Sequence, residues 1–421
     1  MKKILNKILI LCICILTIFS LSACDFILDN GAKPPQNSIY GDSTELIDSI
    51  SFKTLADSER VVLSKADVYE KYSQSVVAII TEEGSAGSGV IVDIDNTNFN
   101  ETEHNFYLIT CHHVIESASR LTVYVPDASG KNYNDTGYNS ADYAFTGNIG
   151  GEVSLTSPVR LIGGDKQSDL AVLGLYVQNS VIASDIANNK AKVMSSSNKL
   201  RVGDEVIAIG NPLGVLPGTF LSGEVSYINR PATFSGIGTI SCLQIDVPIT
   251  HGNSGGALFN TYGELVGITN GGSESYTACN YAIPLYVSET ETKQGVVPVI
   301  SQLIATSTNS NYGYVSGRWM LGVTVSEVTA AGYNTYTKIT GVENYSPAAG
   351  AGLKADDIIL SVSYSGQTKA ITDIDSLDAV IADMRSKLSL GSVVEFSIQR
   401  DGSNKKLDLT LTQHIFRNTG L

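Results

Sequence analysis

Short apolar runs recur along the chain from Ser75 onward, each ended by Gly, Asn, Asp or Ser. Val76–Ile80, Gly87–Val92 and Phe106–Thr110 come first, and Leu121–Val125, Leu170–Leu175 and Glu205–Ile209 follow. Gly223–Ile228, Cys242–Val247, Glu264–Ile268 and Tyr281–Ile283 complete the series. Runs of this length between turn residues predict strands, and so many of them with scarcely a helical period predict sandwich or barrel architecture. A short helix near Ala66–Ser73 is expected ahead of them, and a long loop rich in Tyr, Asn, Asp and Gly separates Pro126 from Ile149. Residues 304–317 read as a Ser/Asn/Gly-rich linker. Beyond it, residues 318–415 form a second unit that opens on strand-like Leu321–Val325. There Leu377, Val380, Ile381 and Met384 have helical spacing, with Asp375 as the expected N-cap. Val393–Ile398 and Leu407–Leu411 flank Arg400-Asp401-Gly402, a hairpin signal.

The head of the chain breaks this pattern. Lys2, Lys3 and Lys7 precede an apolar run, Ile8 to Leu21, interrupted only by Thr17 and Ser20. That run is shorter than the ~20 residues of a spanning helix. With Leu21-Ser22-Ala23-Cys24 after it, residues 1–23 resemble a bacterial lipoprotein signal peptide, which implies lipidation at Cys24. The alternatives are an ordinary secretory signal or an uncleaved short anchor; export follows either way, and an extracytoplasmic protein held at the bacterial membrane from the lipoprotein reading. Residues 24–67 are polar and acidic with Pro34-Pro35, so they read as a tether, and residues 68–303 as the first folded domain.

Composition narrows the class. With 421 residues the chain has room for two or three domains. Its 39 Gly, 20 Tyr and 17% charged residues suit a turn-rich β protein better than a helical bundle. A net charge of −14 argues against a nucleic-acid partner. Outside the leader, Cys111, Cys242 and Cys279 form an odd set, so at most one disulfide is possible and buried free thiols are the expectation.

Candidate chemistry centres on Gly252-Asn253-Ser254-Gly255-Gly256. A serine hydroxyl needs a base to become a nucleophile, and glycines on both sides let the backbone turn so that N–H groups converge beside it. Gly252, Asn253 and Ser254 are therefore the candidate oxyanion hole, with the amides of Gly252 and Ser254 as its donors. A plain Gly-rich hairpin turn is the competing reading. Among the histidines, His104 and His414 read as solvated, and His251 is too constrained by the turn. His112 and His113 end an apolar strand, and neighbouring side chains there face opposite ways, so only one reaches Ser254. Asp169 stands at the mouth of the strand Leu170–Leu173, where it can orient a histidine; Asp165 reads as a local turn contact. The order His, Asp, Ser with large separations is that of the chymotrypsin class.

Seven segments together resemble the HtrA/DegP-like serine proteases. They are Gly87–Ile91, Thr110-Cys-His-His-Val-Ile115, Ser168–Leu173, Gly210-Asn-Pro-Leu-Gly214, Gly252–Leu258, Gly263–Ile268 and Tyr281-Ala-Ile-Pro284. The resemblance implies a mainly β fold, with a trypsin-like domain of two six-stranded β-barrels followed by a small α/β PDZ domain. It selects His113 over His112 as base, Asp169 as acid and Ser254 as nucleophile. The second unit looks like a PDZ domain: Trp319-Met320-Leu321-Gly322-Val323 matches the loop that holds a peptide's C-terminal carboxylate, and Ser346–Ile359 the mid-domain turn and strand. Three positions depart from the family pattern: His112, Asp356 at a usual glycine, and the length of the Pro126–Ile149 loop.

Peptide hydrolysis through an acyl-enzyme is the expected reaction. Pro248, Ile249, Ile268, Thr269, Asn270 and Gly271 are the candidate substrate pocket, and without an acidic residue at Pro248 small or branched apolar side chains should be preferred. The sequence holds no metal cluster or nucleotide fingerprint, so no cofactor and no metal is expected. Unfolded or damaged proteins as substrates, and assembly as a homotrimer, are implied by the resemblance alone. The rival reading is a catalytically quiescent PDZ-containing chaperone or adaptor.

Overall fold

The computed structural model describes residues 50–96, 105–150, 157–192, 200–234, 237–272, 279–288, 291, 293–307, 311–329 and 335–415. Residues 1–23, Cys24, the first part of the expected tether and His104 lie outside them.

The first sheet has the strand order Ala144–Asn148, Arg120–Tyr124, Val76–Thr81, Ala86–Val92, Asn105–Thr110, Leu170–Tyr176, Val159–Asp165. It holds seven strands where six were expected, and among the described residues no hydrogen-bonded ladder joins its two edges. They nevertheless come together, because Gly147 has no side chain: a Cβ there would stand 1.9 Å from the Val159 carbonyl oxygen. The seventh strand comes from the long loop after Pro126, which also forms a turn of helix at Ser140–Tyr143. The second sheet is a closed six-stranded barrel of Glu205–Gly210, Thr219–Phe234, Gly238–Ile245, Asn280–Pro284, Leu265–Gly272 and Ala257–Asn260. The apolar positions that alternate along these strands meet in one core shared by both sheets, including Ile79, Leu108 and Val172 with Ile207, Leu258 and Ile268. Burial at about 25 cal/mol per Å² of apolar surface makes that core the main term holding the two sheets together.

The tether ends earlier than expected. Ile50–Phe52 pairs antiparallel with Ile94–Asn96, Leu55 is buried, and Arg60 reaches the fully buried Glu264 at 3.0 Å. An unpaired buried carboxylate would be costly, so Arg60 is anchored by charge. The linker is likewise partly packed: the helix Val296–Thr306 runs into it, and Tyr312 and Val315 are buried.

In the C-terminal unit, Val323–Thr329, Thr335–Val342, Ile358–Tyr364, Val393–Arg400 and Ser403–Thr410 make one antiparallel sheet, with Gln367–Ala370 added beside Ile358–Tyr364. The helix Ile374–Lys387 buries Leu377, Val380 and Met384. Its cap is Asp373, not Asp375, because the Asp373 carboxylate accepts from Ser376 N at 2.7 Å while the Ser376 hydroxyl accepts from Asp373 N in return. Asp356 takes φ 70°, a left-handed position that Asp tolerates. The expected hairpin is present, with Asp401 and Gly402 both at positive φ.

Candidate active site

Asp169 ends a single 3-10 turn, Lys166–Ser168, at φ 53°. Asp165 caps that turn by accepting from Ser168 N at 3.0 Å. The left-handed step turns the Asp169 carboxylate toward the one-turn helix His112–Ile115. There Oδ1 accepts from His113 N at 2.9 Å and Oδ2 pairs with His113 Nδ1 at 2.7 Å, while the Asp169 carbonyl accepts from His112 N at 3.1 Å. Burial alone would disfavour both ionised forms. Burial lowers the basicity of His113, but the Asp169 charge and hydrogen bond outweigh it, and Glu116 adds to them, so the imidazole is held above its ordinary 6.5. Asp169 is fully buried, which pushes its carboxyl up, yet His113 holds it below the ordinary value.

His112 has the opposite fate. It is buried, and desolvation lowers its pKa despite Glu116 and Asp169 nearby, so it stays neutral. His414, expected as solvated, is 10% exposed; burial, the largest cause, outweighs Asp165 and lowers it to about 4. The backbone explains this, since His414 N donates to Arg318 O at the junction of the two units.

Ser254 lies on the opposite wall. Gly252 at φ 90° and Gly255 at φ 85° are required there, because a Cβ would meet Asn211 O at 2.2 Å or Ser88 O at 2.2 Å. Gly255 N donates to Thr269 O, and Gly256 N to Asn253 O. Among the described residues, the N–H groups of Gly252 and Ser254 have no hydrogen-bond acceptor. Asn253 N is spent on Thr250 O at 3.1 Å, which removes Asn253 from the candidate oxyanion donors. The Ser254 hydroxyl donates to the Asn270 carbonyl at 2.6 Å, and no hydrogen bond joins it to His113.

Two residues whose roles sequence reasoning does not reach tie these segments together. Asn270 was expected in the substrate pocket, but its side chain is buried and its amide donates to Asp169 Oδ2 at 2.5 Å. One residue thus touches Asp169 through its side chain and Ser254 through its carbonyl. Ser88 donates from Oγ to Gly252 O and accepts there from Asn211 N, both at 2.8 Å, and its own N–H donates to Ser254 O. A serine between two strand glycines marks a place where another backbone comes close, a signal present in Gly87-Ser88-Gly89.

The rest of the expected pocket also changes. Ile268 and Thr269 are buried, and the Thr269 hydroxyl donates to Asn253 O at 2.6 Å; as neighbours on Leu265–Gly272 they face opposite sides of a strand covered on both. Pro248 is exposed, Ile249 is buried and Gly271 is half-buried. Cys111, Cys242 and Cys279 are all free thiols. Among the described residues, the one grouping with metal-type ligands is Cys111, His113 and Asp169, within 4.8 Å. Burial, then the Asp169 charge, push the Cys111 thiol well up, which disfavours the thiolate that a metal needs.

In the C-terminal unit, Gly322 at φ 75° lies against Ser346, where a Cβ would come within 2.2 Å. The Leu321 and Gly322 carbonyls accept from Ala348 N and Glu343 N. Among the described residues, the N–H groups of Met320, Leu321 and Gly322 have no acceptor. Val323 begins the edge strand. Trp319 just ahead is buried, and its carbonyl accepts from Gln167 Nε2 at 2.7 Å. Arg318 donates to Gln167 Oε1 at 2.7 Å and lies 3.5 Å from Asp165.

Matches to family models agree with this architecture. Residues 87–268 match the trypsin-like peptidase domain family and residues 320–411 the PDZ domain family. The serine protease Do-like HtrB of Bacillus subtilis is 31% identical over 340 residues, covering 75% of this chain and 61% of the relative. The periplasmic serine endoprotease DegP of Escherichia coli is 29% identical over 343 residues, covering 78% of this chain and 57% of the relative. The chain thus spans about three fifths of the length of these curated relatives. A crystal structure of the serine endoprotease from Yersinia pestis is 24% identical, with a TM-score of 0.42, covering 84% of this chain and 99% of that one. The chain joins a trypsin-like peptidase domain to a PDZ domain, and its homologues are serine proteases of the HtrA/DegP type.

Proposed function

We propose that this protein is an extracytoplasmic serine endopeptidase in which Ser254 attacks a peptide carbonyl, His113 is the base and Asp169 orients it. The observation that carries the reading is the contact of buried Asp169 with the solvent-open His113 at 2.7 Å, tied through Asn270 to a serine whose turn leaves two N–H groups without an acceptor among the described residues. For attack, the Ser254 hydroxyl exchanges its donation from Asn270 O to His113 Nε2 by rotation about one side-chain bond. His113 then takes the proton and returns it to the leaving amine, and Asp169 stabilises the imidazolium. Gly252 and Ser254 N–H groups donate to the oxyanion. Water activated by His113 releases the acyl group from Ser254. The free amides of Met320, Leu321 and Gly322 suit a peptide's terminal carboxylate, with the rest of that peptide added along the Val323–Thr329 edge. Relatives named as periplasmic endoproteases support export, and the leader supports attachment through Cys24. Unfolded or damaged proteins are the proposed substrates, and a homotrimer the proposed assembly.

The Ser254–Asn270 hydrogen bond favours a second reading, a quiescent peptidase domain serving a PDZ adaptor. Fluorophosphonate labelling with peptide mapping separates the two. Labelling of Ser254, with casein hydrolysis abolished in Ser254→Ala, supports the peptidase. Equal residual hydrolysis by both proteins supports the adaptor.

A further inference from the structure

The turn Asn211–Gly218 holds three exposed apolar side chains that the reaction above does not use. Leu213 sits at φ 59°, a strained region for a branched L-residue, and its side chain is 66% exposed. Val215 and Leu216 are exposed as well. An apolar side chain held in water repays neither its exposure nor its backbone strain through packing, so folding gives no account of this patch.

Its place beside the nucleophile does. Leu213 N donates to the His251 carbonyl at 2.6 Å, in the peptide unit that carries the Gly252 N–H. A Cβ on Gly252 would lie 2.8 Å from Leu213 N and 2.7 Å from Gly214 N. On its other side the turn abuts the first sheet, where a Cβ on Gly214 would come 2.4 Å from Ala86 Cβ. The long loop braces it from outside: the Tyr133 hydroxyl donates to Gly214 O, and the Asn134 amide to Val215 O at 2.5 Å. Tyr133 also packs on Tyr124, with ring centroids 4.6 Å apart. The backbone of the turn is therefore fixed while its apolar side chains stay outward.

We infer that Leu213, Val215 and Leu216 form the docking surface for the leaving-group side of a polypeptide substrate and select apolar side chains just beyond the scissile bond. The inference rests on the peptidase reading. A chain that offers its carbonyl to the Gly252 and Ser254 N–H groups, with its acyl portion along Asn270–Gly272, must depart on the side away from that strand. That side is formed by Ala86 and this turn. An extended chain advances ~3.3 Å per residue, so the first two residues past the bond are the ones that stay against it.

Two internally quenched peptides, identical up to the scissile bond and carrying Leu-Leu or Ser-Ser directly after it, test this with the full chain. Wild type should cleave the Leu-Leu peptide with roughly 10-fold higher kcat/KM, the order expected of a small apolar pocket. In Leu213→Asn, where Asn tolerates the left-handed backbone, and in Leu216→Ser, the ratio should fall toward one. A wild-type ratio near one overturns the inference while leaving the peptidase intact. Cleavage of neither peptide, with Ser254 unlabelled by fluorophosphonate, overturns the peptidase reading and this with it. A ratio unchanged in both variants, with a lowered native mass in light scattering, makes the patch a contact between copies of the chain and also overturns it.

Discussion

Asp169 and His113 occupy a fully wired corner, whereas Ser254 sits in a turn whose reactive groups are mostly unspent. The Asp169 carboxylate receives three donors, His113 N, His113 Nδ1 and the Asn270 amide. Such a carboxylate has one low-energy arrangement, and it fixes the imidazole with it. By contrast, the Gly252 and Ser254 N–H groups have no acceptor among the described residues, Ser254 Oγ points to a backbone carbonyl, and the supporting turn holds a strained leucine. On the proposed peptidase reading, the contrast assigns rigidity to the acid–base side and adjustment to the nucleophile side. Preorganised charge is useful only where it does not move, while the nucleophile must change partners in each cycle.

The largest expected effect breaks the wired side. Asp169→Asn should lower kcat about 10⁴-fold, because the amide favours the wrong tautomer of His113. In wild type, kcat/KM should rise with pH along an acidic limb centred above 6.5, since the base must be neutral and Asp169 keeps it protonated to higher pH. In the variant the limb should move down. A fall in kcat of less than about 10-fold, or an unmoved limb, would make the pair structural only.

Asn270→Ala takes one donor from Asp169 but leaves the carbonyl that Ser254 uses. Hydrogen bonds to charged groups contribute about 1.5–3 kcal/mol, so kcat should drop on the order of 10- to 100-fold with KM little changed. A rise in KM alone would return Asn270 to the substrate pocket. Leu213→Gly probes the braced turn behind Gly252 and should have the smallest effect. Relief of left-handed strain against the entropy of glycine leaves a gain of up to about 1 kcal/mol. Urea unfolding would read it as a higher midpoint at unchanged slope; a lower midpoint would mean that Leu213 packs for the fold.

Local chemistry made much of this legible. Strand runs, the Asp401-Gly402 hairpin and the helix around Leu377 and Met384 follow from periodicity and turn residues, which act over a few positions. The cap of that helix slipped from Asp375 to Asp373 because either Asp precedes the apolar stripe, and only the reciprocal bond with Ser376 decides between them. The tether was misjudged from Ile50 on, since a polar segment looks solvated until Arg60 finds the buried Glu264 in the turn ahead of Leu265–Gly272. Asn270 looked like pocket lining for a similar reason: its strand was readable, but which way its amide turned was not.

By itself the sequence determined which residue types were available and in what order: a serine among glycines, an aspartate before an apolar strand, a histidine pair after one. Those are consequences of covalent neighbours. The tertiary structure decided that His113 meets Asp169 while His112 is buried, that Asn253 spends its N–H locally, and that Ser254 rests on Asn270. Each of these depends on groups far apart in the chain, 56 residues for His113 and Asp169 and 101 for Asn270 and Asp169. Only packing of the two sheets on one core brings such groups within hydrogen-bond range.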